Sequence, residues 1–412
     1  MGKGGREHAL IRSLRESESD PEVFCFPGSE AIHEIESTGR VDAHDLESLI
    51  AWMTESDIDL CVAGEESYLV TGAGLANRCA EVGIPCWGPP FAAAQMEASK
   101  EFAKEFMLRH SIPTGGATGC ATADEARKAI GGSYPTVLKF DGLAAGKGVA
   151  VCEDEASVEE FLKEVMEERR FGKGRLLVEE CLVGPEISIF AAVSGPDYLI
   201  LTPARDYKRI GEGDEGPNTG GMGAVASRQL ADPELMARIE KEIVAPTVAG
   251  LERDELAYKG FLYFGLMLTS EGPKIIEYNC RFGDPECQAV MPLLSGDLAK
   301  FCLEGAKGNL QPELLSFSEG WSVCCILASA GYPESSRGGD VIGGLEAVTE
   351  ARIYHAGTKK QGGEWVTNGG RVLAIVAGGD TREEAVERAH AEAAKVTFPG
   401  SQRRSDIGRL HF

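Results

Sequence analysis

Short apolar runs alternate with amphipathic stretches in the amino-terminal part of the chain. The runs EVFCFPG and DLCVAGEE end in turn residues, whereas HDLESLIAWMTES and GAGLANRCAEVG carry apolar residues at helical spacing. Alternation of strands and helices is typical of a parallel sheet, which binds ligands at the carboxyl ends of its strands. We therefore predict an N-terminal α/β domain over residues 1–96.

The pattern changes after the segment GPPFAAA, where a larger unit begins. The stretch EASKEFAKEFMLRH, residues 97–110, predicts one amphipathic helix. Two further helices are predicted by capping boxes, which pair Thr122 with Glu125 and Ser157 with Glu160. We assign residues 115–185 to a small lobe of this unit.

Longer apolar runs follow and predict antiparallel pairing. The stretch GFLYFGLMLTSEGPKIIEYNC reads as a hairpin with its turn at Ser270–Pro273. From about residue 320, strands and one helix capped by Thr381 with Glu384 predict a small α+β domain. The chain is thus predicted to be a multidomain α/β and α+β protein, divided into residues 1–96, 97–318 and 319–412.

The segment VLKFDGLAAGKGVAV, residues 137–151, places a loop of small residues between two apolar runs. It fails the P-loop pattern, because only three residues separate Gly142 from Gly146 and Gly148 replaces the hydroxyl residue that binds magnesium. Both flanks predict strands, so the loop joins an antiparallel pair. Glycine N–H groups approach a phosphate without obstruction, and we favour a phosphate-binding loop over a merely flexible hairpin.

Three lysines accompany this segment: Lys100 on the preceding helix, Lys139 in the first strand and Lys147 in the loop. Lysines are commonly exposed to solvent, so an exposed position without a ligand is the alternative interpretation for all three. Lys139, however, interrupts the otherwise buried run TVLKF, where an unpaired ammonium costs several kcal/mol. We expect a phosphate oxygen as its partner.

The segment IIEYNCRFGDPE places polar groups on one face of a predicted strand. Glu277 and Asn279 are two residues apart and therefore share a face, and Arg281 follows them. Two oxygen donors at this spacing suit magnesium, and a guanidinium beside them suits a phosphoryl group. The alternative is a solvated strand face.

The segment DYKRIGEGDEGPNTGGMGA, residues 206–224, is rich in charge and glycine and has no apolar period. Such composition also occurs in disordered linkers. Because it lies between two strand regions, we interpret it as an active-site loop, with Asp206 and Lys208 as candidate catalytic residues beside Arg281 and Lys139.

The charge of the chain excludes some partners. Sixty-five acidic against 41 basic residues give a net charge of −24, which disfavours nucleic acids and anionic membranes. No signal peptide or membrane-spanning run is seen, and we expect a cytoplasmic location. The 12 cysteines form no C-x-x-C pair and the seven histidines have no metal-ligand spacing, so we interpret the cysteines as small buried hydrophobic residues.

Together these segments resemble the ATP-grasp enzymes, and most closely the phosphoribosylamine–glycine ligase family. The resemblance runs from Gly2 to Gly408 and rests on GGREHAL, KFDGLAAGKGV, DYKR…GPNTGGMGA, GFLYFGLML, IEYNCRFGDPE and HAGT…NGGRVL, in this order. It implies an ATP-grasp fold between an N-terminal parallel α/β domain and a small C-terminal α+β domain. The loop at 142–148 would be a lid over the phosphates of ATP.

The resemblance also implies roles for individual residues. Contacts with ATP would come from Lys100, Lys139, Gly142, Gly146, Lys147, Gly148, Glu179, Leu182 and Glu186, with Glu179 and Leu182 at adenine and Glu186 at ribose. Glu277 and Asn279 would bind Mg²⁺, or Mn²⁺, and Arg281 would stabilise the transferred phosphoryl group. Phosphoribosylamine and glycine would lie near Gly4, Gly5, Arg6, Glu7, Glu66, Asp284, Pro285 and Glu286.

The activity implied is ATP-dependent ligation of glycine to 5-phosphoribosylamine through glycyl phosphate, in purine biosynthesis, by a monomer. Two alternatives remain: another ATP-grasp carboxylate–amine ligase, or an inactive ATP-binding relative. The second is motivated by the start MGKGG, since members of the family begin with a full strand before this glycine loop. We expect that strand to be stunted here, and the translation start to lie upstream by about five apolar residues.

Overall fold

The structure is a computed structural model that describes residues 1–142 and 148–409. Gly146 and Lys147 of the predicted phosphate loop lie outside the described residues. In the described part, one sheet of nine strands and one of four strands are accompanied by pairs of short strands.

The amino-terminal part combines helices with very short strands. Its elements are α1 (Gly5–Arg15), β1 (Phe24–Cys25), α2 (Glu30–Ile35), β2 (Gly39–Arg40), α3 (Leu46–Glu55), β3 (Cys61–Val62), α4 (Leu75–Glu81), β4 (Cys86–Trp87) and α5 (Phe91–Ala98). β1 pairs with β2 and β3 with β4, both in parallel. The predicted parallel pairing is confirmed, although each strand has only two residues.

Met1 and Gly2 alone occupy the position between β1 and β3. Gly2 forms a parallel bridge with Pro27, and the Met1 carbonyl accepts a hydrogen bond of 3.1 Å from the Gly64 N–H. Beside them lies a cavity of about 610 Å³, which we call the strand slot. Its lining includes Leu10, Phe24, Trp52, Met53, Cys61 and Val62. The first strand is therefore stunted, as expected.

The small lobe is a four-stranded antiparallel sheet covered by helices. Its elements, with the helix that leads into it, are α6 (Lys100–Arg109), β5 (Ala117–Cys120), α7 (Ala123–Ile130), β6 (Thr136–Phe140), β7 (Val149–Cys152), α8 (Glu155–Leu162) and β8 (Leu176–Glu180). The strand order is β5-β8-β6-β7. β6 and β7 flank the predicted phosphate loop and pair antiparallel, which confirms the predicted hairpin.

Two predictions about helix starts in this region are wrong. Residues 97–110 do not form one helix, because Ser99 adopts an extended backbone and caps a new helix that begins at Lys100. The cap of α8 is Asp154, whose carboxylate accepts the Ser157 N–H at 2.8 Å, so Ser157 is the third helical residue and not the cap. By contrast, Thr122 caps α7 as predicted.

The remaining elements build the central sheet and its surroundings. They are β9 (Glu186–Ser194), β10 (Asp197–Ile200), β11 (Ala204–Asp206), β12 (Arg209–Gly211), β13 (Glu215–Asn218), β14 (Gly223–Ala226), α9 (Pro233–Ile239), α10 (Ala245–Arg253), β15 (Lys259–Thr269), β16 (Gly272–Asn279), α11 (Glu286–Val290), β17 (Leu294–Gly296), α12 (Leu298–Lys307), β18 (Leu315–Phe317), β19 (Trp321–Ala328), β20 (Arg352–His355), β21 (Thr358–Gln361), β22 (Glu364–Thr367), β23 (Arg371–Gly379) and α13 (Arg382–Ala393).

The central sheet has the order β16-β15-β9-β11-β14-β19-β23-β20, with β10 added to β9. All its pairs are antiparallel, and the predicted hairpin between β15 and β16 is confirmed. The pairing of β14 with β19 joins the strands beyond residue 320 to the same sheet. Within residues 206–224, β12 and β13 pair as a short antiparallel hairpin.

No helix in residues 1–142 and 148–409 is both long and apolar enough to cross a membrane.

Candidate active site

A cavity of about 110 Å³ lies where α5, α6, β6 and β8 face β16. Predicted site residues that line it are Glu66, Lys100, Lys139, Gly142, Gly148, Glu179, Glu277, Asn279 and Arg281. Sequence positions more than 200 residues apart, such as Glu66 and Glu277, thus face one space. The antiparallel strands bring them together because polar positions on β6, β8 and β16 all point to this side.

Lys139 is buried in β6 and is held by protein groups. Its Nζ lies 3.0 Å from a Glu179 carboxylate oxygen and donates to the Ile276 carbonyl at 3.0 Å. Lys104 shares the same carboxylate at 3.3 Å, and burial lowers the pKa of Lys104. The inference that Lys139 needs a phosphate partner to be buried is therefore wrong, since Glu179 compensates its charge.

Lys100 extends from the first turn of α6 into the cavity. Its Nζ donates to the Gly142 carbonyl at 2.9 Å. Burial lowers the pKa of Lys100, although the nearby Glu277 carboxylate opposes this shift. Because a new helix begins after Ser99, its first residue, Lys100, reaches Gly142, where the predicted phosphate loop begins.

Glu277 and Asn279 lie at the end of β16 and both face the cavity. The Asn279 amide, oriented to satisfy its hydrogen bonds, donates to a Glu97 carboxylate oxygen at 3.0 Å. In this orientation the amide nitrogen, and not the oxygen, faces the Glu97 carboxylate. A carboxylate and an amide oxygen are a donor set that fits a hard cation such as magnesium.

Arg281 follows β16 and is held between two carboxylates. It lies 2.9 Å from Glu66 and 2.6 Å from Glu97. Although burial opposes the shift, the Arg281 and Arg6 guanidinium groups lower the pKa of Glu66 to about 2. Burial raises the pKa of Glu97 to about 7 despite the charge of Arg281. The two acids beside one arginine therefore have very different proton affinities.

A second polar cluster lies near the ends of β9 and β11, with Ser188 and Glu286 buried and Glu186, Asp206 and Lys208 half-buried. Lys208 Nζ lies 2.6 Å from Glu186, and Ser188 Oγ donates to Glu286 at 3.3 Å. Burial raises the pKa of Asp206 to about 6 and that of Glu286 to about 8. The charge of Glu277 acts on both Asp206 and Lys208, so this cluster and the cavity are electrostatically linked.

The glycine-rich start of the chain forms the first turn of α1 beside the segment that follows β16. Gly4 N–H donates to Glu7 at 2.7 Å, and Arg6 lies 2.6 Å from Glu7. Arg6 also donates to the Phe282 carbonyl at 3.3 Å. A methyl group added at Gly4 would lie 3.9 Å from an Asp284 carboxylate oxygen. The expected proximity of these two segments is thus observed.

Some residues do not match the sequence expectation. Leu182 and Glu186 do not line the cavity, and their predicted adenine and ribose contacts stay predictions. Sequence reasoning missed Glu97 and Lys104, which line it, and Arg371, which lies 2.9 Å from Asp284. Lys104 and Glu97 lie on helices without a polar motif, so only the folded chain reveals them.

Domain profiles of the phosphoribosylglycinamide synthetase family match nearly the whole chain: the N domain at residues 1–97, the ATP-grasp (A) domain at 98–287 and the C domain at 322–410. The phosphoribosylamine–glycine ligase of Caldanaerobacter subterraneus subsp. tengcongensis is 42% identical over 410 residues, which cover 99% of this chain and 98% of that protein. A bifunctional purine biosynthetic protein of Pichia angusta is 39% identical over 100% of this chain and 53% of its own length.

Solved structures agree with these matches. The crystal structure of phosphoribosylamine–glycine ligase from Thermotoga maritima has a TM-score of 0.85 and 36% identity, and the match covers 98% of both chains. The biotin carboxylase domain of a Hydrogenobacter thermophilus 2-oxoglutarate carboxylase has a TM-score of 0.71 at 19% identity, over 98% of this chain and 90% of that chain, and shares the fold. With these domains and relatives, the chain belongs to the phosphoribosylglycinamide synthetase family of ATP-grasp ligases.

Proposed function

We propose that the protein ligates glycine to 5-phosphoribosylamine with ATP and produces glycinamide ribonucleotide, ADP and phosphate in purine biosynthesis. The observation that carries the proposal is the cavity in which Lys100, Lys139, Glu277, Asn279 and Arg281 meet. Family membership supports these substrates, and this cavity supplies the charges that ATP-dependent ligation needs. A monomer in the cytoplasm is the form that we propose.

ATP phosphates would bind at Lys100 and Lys139, beside Gly142 and Gly148. Lys139 is buried and Lys100 is partly buried, which supports this assignment because a phosphate in a cavity with little water gains more from each charge. The adenine and ribose would lie toward Glu179, Leu182 and Glu186. Glu179 already compensates Lys139 and Lys104, so it would keep both cations in place while it contacts the base.

Glu277 and Asn279 would hold Mg²⁺, with Mn²⁺ as a second option, since both residues offer oxygen to the same cavity. When bound, the ion would neutralise charge on the ATP phosphates. A related fold, the Hydrogenobacter thermophilus biotin carboxylase domain, was solved with MgADP. The oxygen donors of Glu277 and Asn279 fit a divalent cation of this kind.

In the proposed reaction, a glycine carboxylate oxygen attacks the γ-phosphorus of ATP and ADP leaves. The amine of phosphoribosylamine then attacks the carbonyl carbon of glycyl phosphate, and phosphate leaves. Arg281 would stabilise the transferred phosphoryl group, and no side-chain nucleophile is needed. Glu97, with its pKa near 7, would hold Arg281 in position from the opposite side.

Substrate contacts would come from the two clusters that flank the cavity. The acidic groups Asp206 and Glu286, balanced by Lys208, suit the ammonium of glycine and the amine of the second substrate. The first turn of α1, from Gly4 to Glu7, with Glu66, Asp284 and Pro285, would face phosphoribosylamine. These residues would thus bind glycine and phosphoribosylamine, the two substrates other than ATP.

One assay tests the proposal against its alternatives. ADP release is measured with both substrates, with each alone and with neither. Release that requires both glycine and phosphoribosylamine supports the proposal. Release with a different carboxylate and amine would indicate another ATP-grasp ligase, and ATP binding without any turnover would indicate an inactive relative.

A further inference from the structure

Three cysteine side chains meet in the core of the N-terminal part. Cys61 on β3 and Cys86 on β4 are direct partners in the parallel pair, and Cys79 reaches them from α4. Their three Sγ atoms all lie within 4.8 Å of one another. Cys61 is 4% exposed, Cys79 0% and Cys86 9%, and all three are free thiols. We call this group the three-thiol cluster.

The cluster is unusual among the cysteines of the chain. Twelve cysteines are present, yet in the described residues only this group places three possible ligand atoms together. Each Sγ atom of the group faces two others inside the core, and sulfur is a strong ligand for soft metal ions.

We propose that Cys61, Cys79 and Cys86 form a binding site for Cu(I), coordinated by three sulfur atoms. Buried thiolates select soft cations, whereas magnesium and calcium require oxygen donors. Structural zinc sites take four protein ligands, and the described residues place no fourth histidine, cysteine, aspartate or glutamate in this group. A three-sulfur site without a fourth ligand fits a monovalent soft cation better than zinc.

The cluster has a route by which an ion can reach it. Cys61 lines the strand slot, the cavity of about 610 Å³ beside Met1, and so does the thioether-bearing Met53. A thiol that coordinates as a thiolate releases its proton to solvent, so uptake is expected to strengthen as the pH rises. None of the three cysteines lines the candidate active site, and the proposal is independent of the ligase function.

The test uses the reduced full-length protein without oxygen. Cu(I) is supplied as its acetonitrile complex and titrated against a chromogenic Cu(I) chelator, for the wild type and the variants Cys79→Ala and Cys86→Ala. Cys302→Ala is the matched control, because Cys302 is equally buried but lies outside the cluster. We expect one Cu(I) per chain in the wild type and control, and affinity reduced by at least about tenfold in both cluster variants.

X-ray absorption of the Cu(I)-loaded wild type is expected to show three sulfur neighbours around the copper. Because this measurement uses only the wild type, it does not depend on whether a variant folds. Equal Cu(I) affinity in the wild type and both cluster variants would overturn the proposal, as would a lack of binding in the wild type. A titration in which Zn(II) binds more tightly than Cu(I) would also contradict it. Circular dichroism and thermal melting of each variant separate lost binding from lost folding.

Discussion

Lys139, Arg281 and Lys208 are each held by a carboxylate within hydrogen-bonding distance. Such pairing keeps buried charge compensated and orients each cation without a ligand. A phosphate that arrives beside Lys139 and Arg281 adds negative charge close to Glu179 and Glu97. Proton uptake or a cation that enters with the nucleotide is then needed to compensate it.

Glu277→Gln is expected to reduce ligase turnover by at least about a hundredfold with little loss of stability. The change removes the charged member of the proposed metal-ligand pair and keeps the size of the side chain. Steady-state ADP release and a urea melt measure the two effects. Glu271→Gln, exposed on the same hairpin, is the control. Turnover within a fewfold of the wild type would refute the role of Glu277.

Glu97 is expected to make stability depend on pH. The ordinary pKa of a glutamate is 4.5, whereas burial raises that of Glu97 to about 7. The folded protein binds more protons between these values, so the contribution of Glu97 to the free energy of unfolding falls as the pH rises through this window. The total decrease is about 3 kcal/mol, and it levels off at higher pH.

Urea unfolding of the wild type and Glu97→Gln across the same pH window measures this contribution. The difference in unfolding free energy, wild type minus variant, is expected to decline from about pH 4.5 to 7. Glu105→Gln, exposed on α6, is the control and should follow the wild type at every pH. A pH-independent difference for Glu97→Gln would argue that this carboxyl does not titrate in the window.

At the scale of elements, helix starts decide where functional residues lie. Ser99 ends α5 and begins α6, so Lys100 occupies the first turn and reaches the Gly142 carbonyl. Asp154 similarly sets the start of α8, which covers the four-stranded sheet. Ser99 thus fixes the start of α6, one of the elements that line the cavity, and Asp154 fixes the start of a helix on the small lobe.

Asp154→Ala is expected to cost about 1 kcal/mol of stability, because it removes the acceptor for the Ser157 N–H. Glu160→Ala should stay within about 0.5 kcal/mol, since Glu160 is exposed and is not part of the cap. Urea melts of both variants make the comparison. A larger loss for Glu160→Ala would favour the capping box expected from the sequence.

Hairpins and the shared face of β16 are predictable from the sequence because apolar alternation is a local property. The cap at Asp154 is not, since Asp154 and Ser157 are both favourable cap residues three positions apart, and the local pattern does not choose between them. The ion pair of Arg281 with Glu97 and the three-thiol cluster join residues on separate elements. Their proximity depends on how helices pack on sheets, which no local pattern encodes. The domain boundaries and the ligand contacts stay predictions.

At the scale of the whole molecule, the strand slot is a defect in the N-terminal sheet. Met1 and Gly2 pair with the chain at β1 and β3 over only two residues: Gly2 bridges Pro27, and the Met1 ammonium donates to the Val62 carbonyl at 3.0 Å. Because backbone groups along a strand alternate between its two sides, the Phe24 carbonyl and the Val62 N–H point into the slot. Apolar side chains surround these groups. The cavity therefore combines unfilled apolar volume with backbone groups that lack a strand partner on that side.

Addition of about five Val and Ile residues before Met1 is expected to fill the slot, at about 3.3 Å per residue. The melting temperature should rise by about 2 °C or more, and the Phe26 and Val62 amides should exchange hydrogen more slowly. A Gly/Ser extension of equal length is the control. Equal melting temperatures for the two extensions would mean that the slot does not accept a strand.

The pairing of β14 with β19 has a consequence for synthesis on the ribosome. Strands β9, β11, β14, β15 and β16 are complete when residue 279 has emerged, but the edge of β14 stays open until residues 321–328 follow. An open edge next to buried apolar strands is a site at which nascent chains pair with one another. The last quarter of the chain therefore acts as the closing segment of a sheet begun earlier, and stalling before it would leave the growing polypeptide dependent on chaperones.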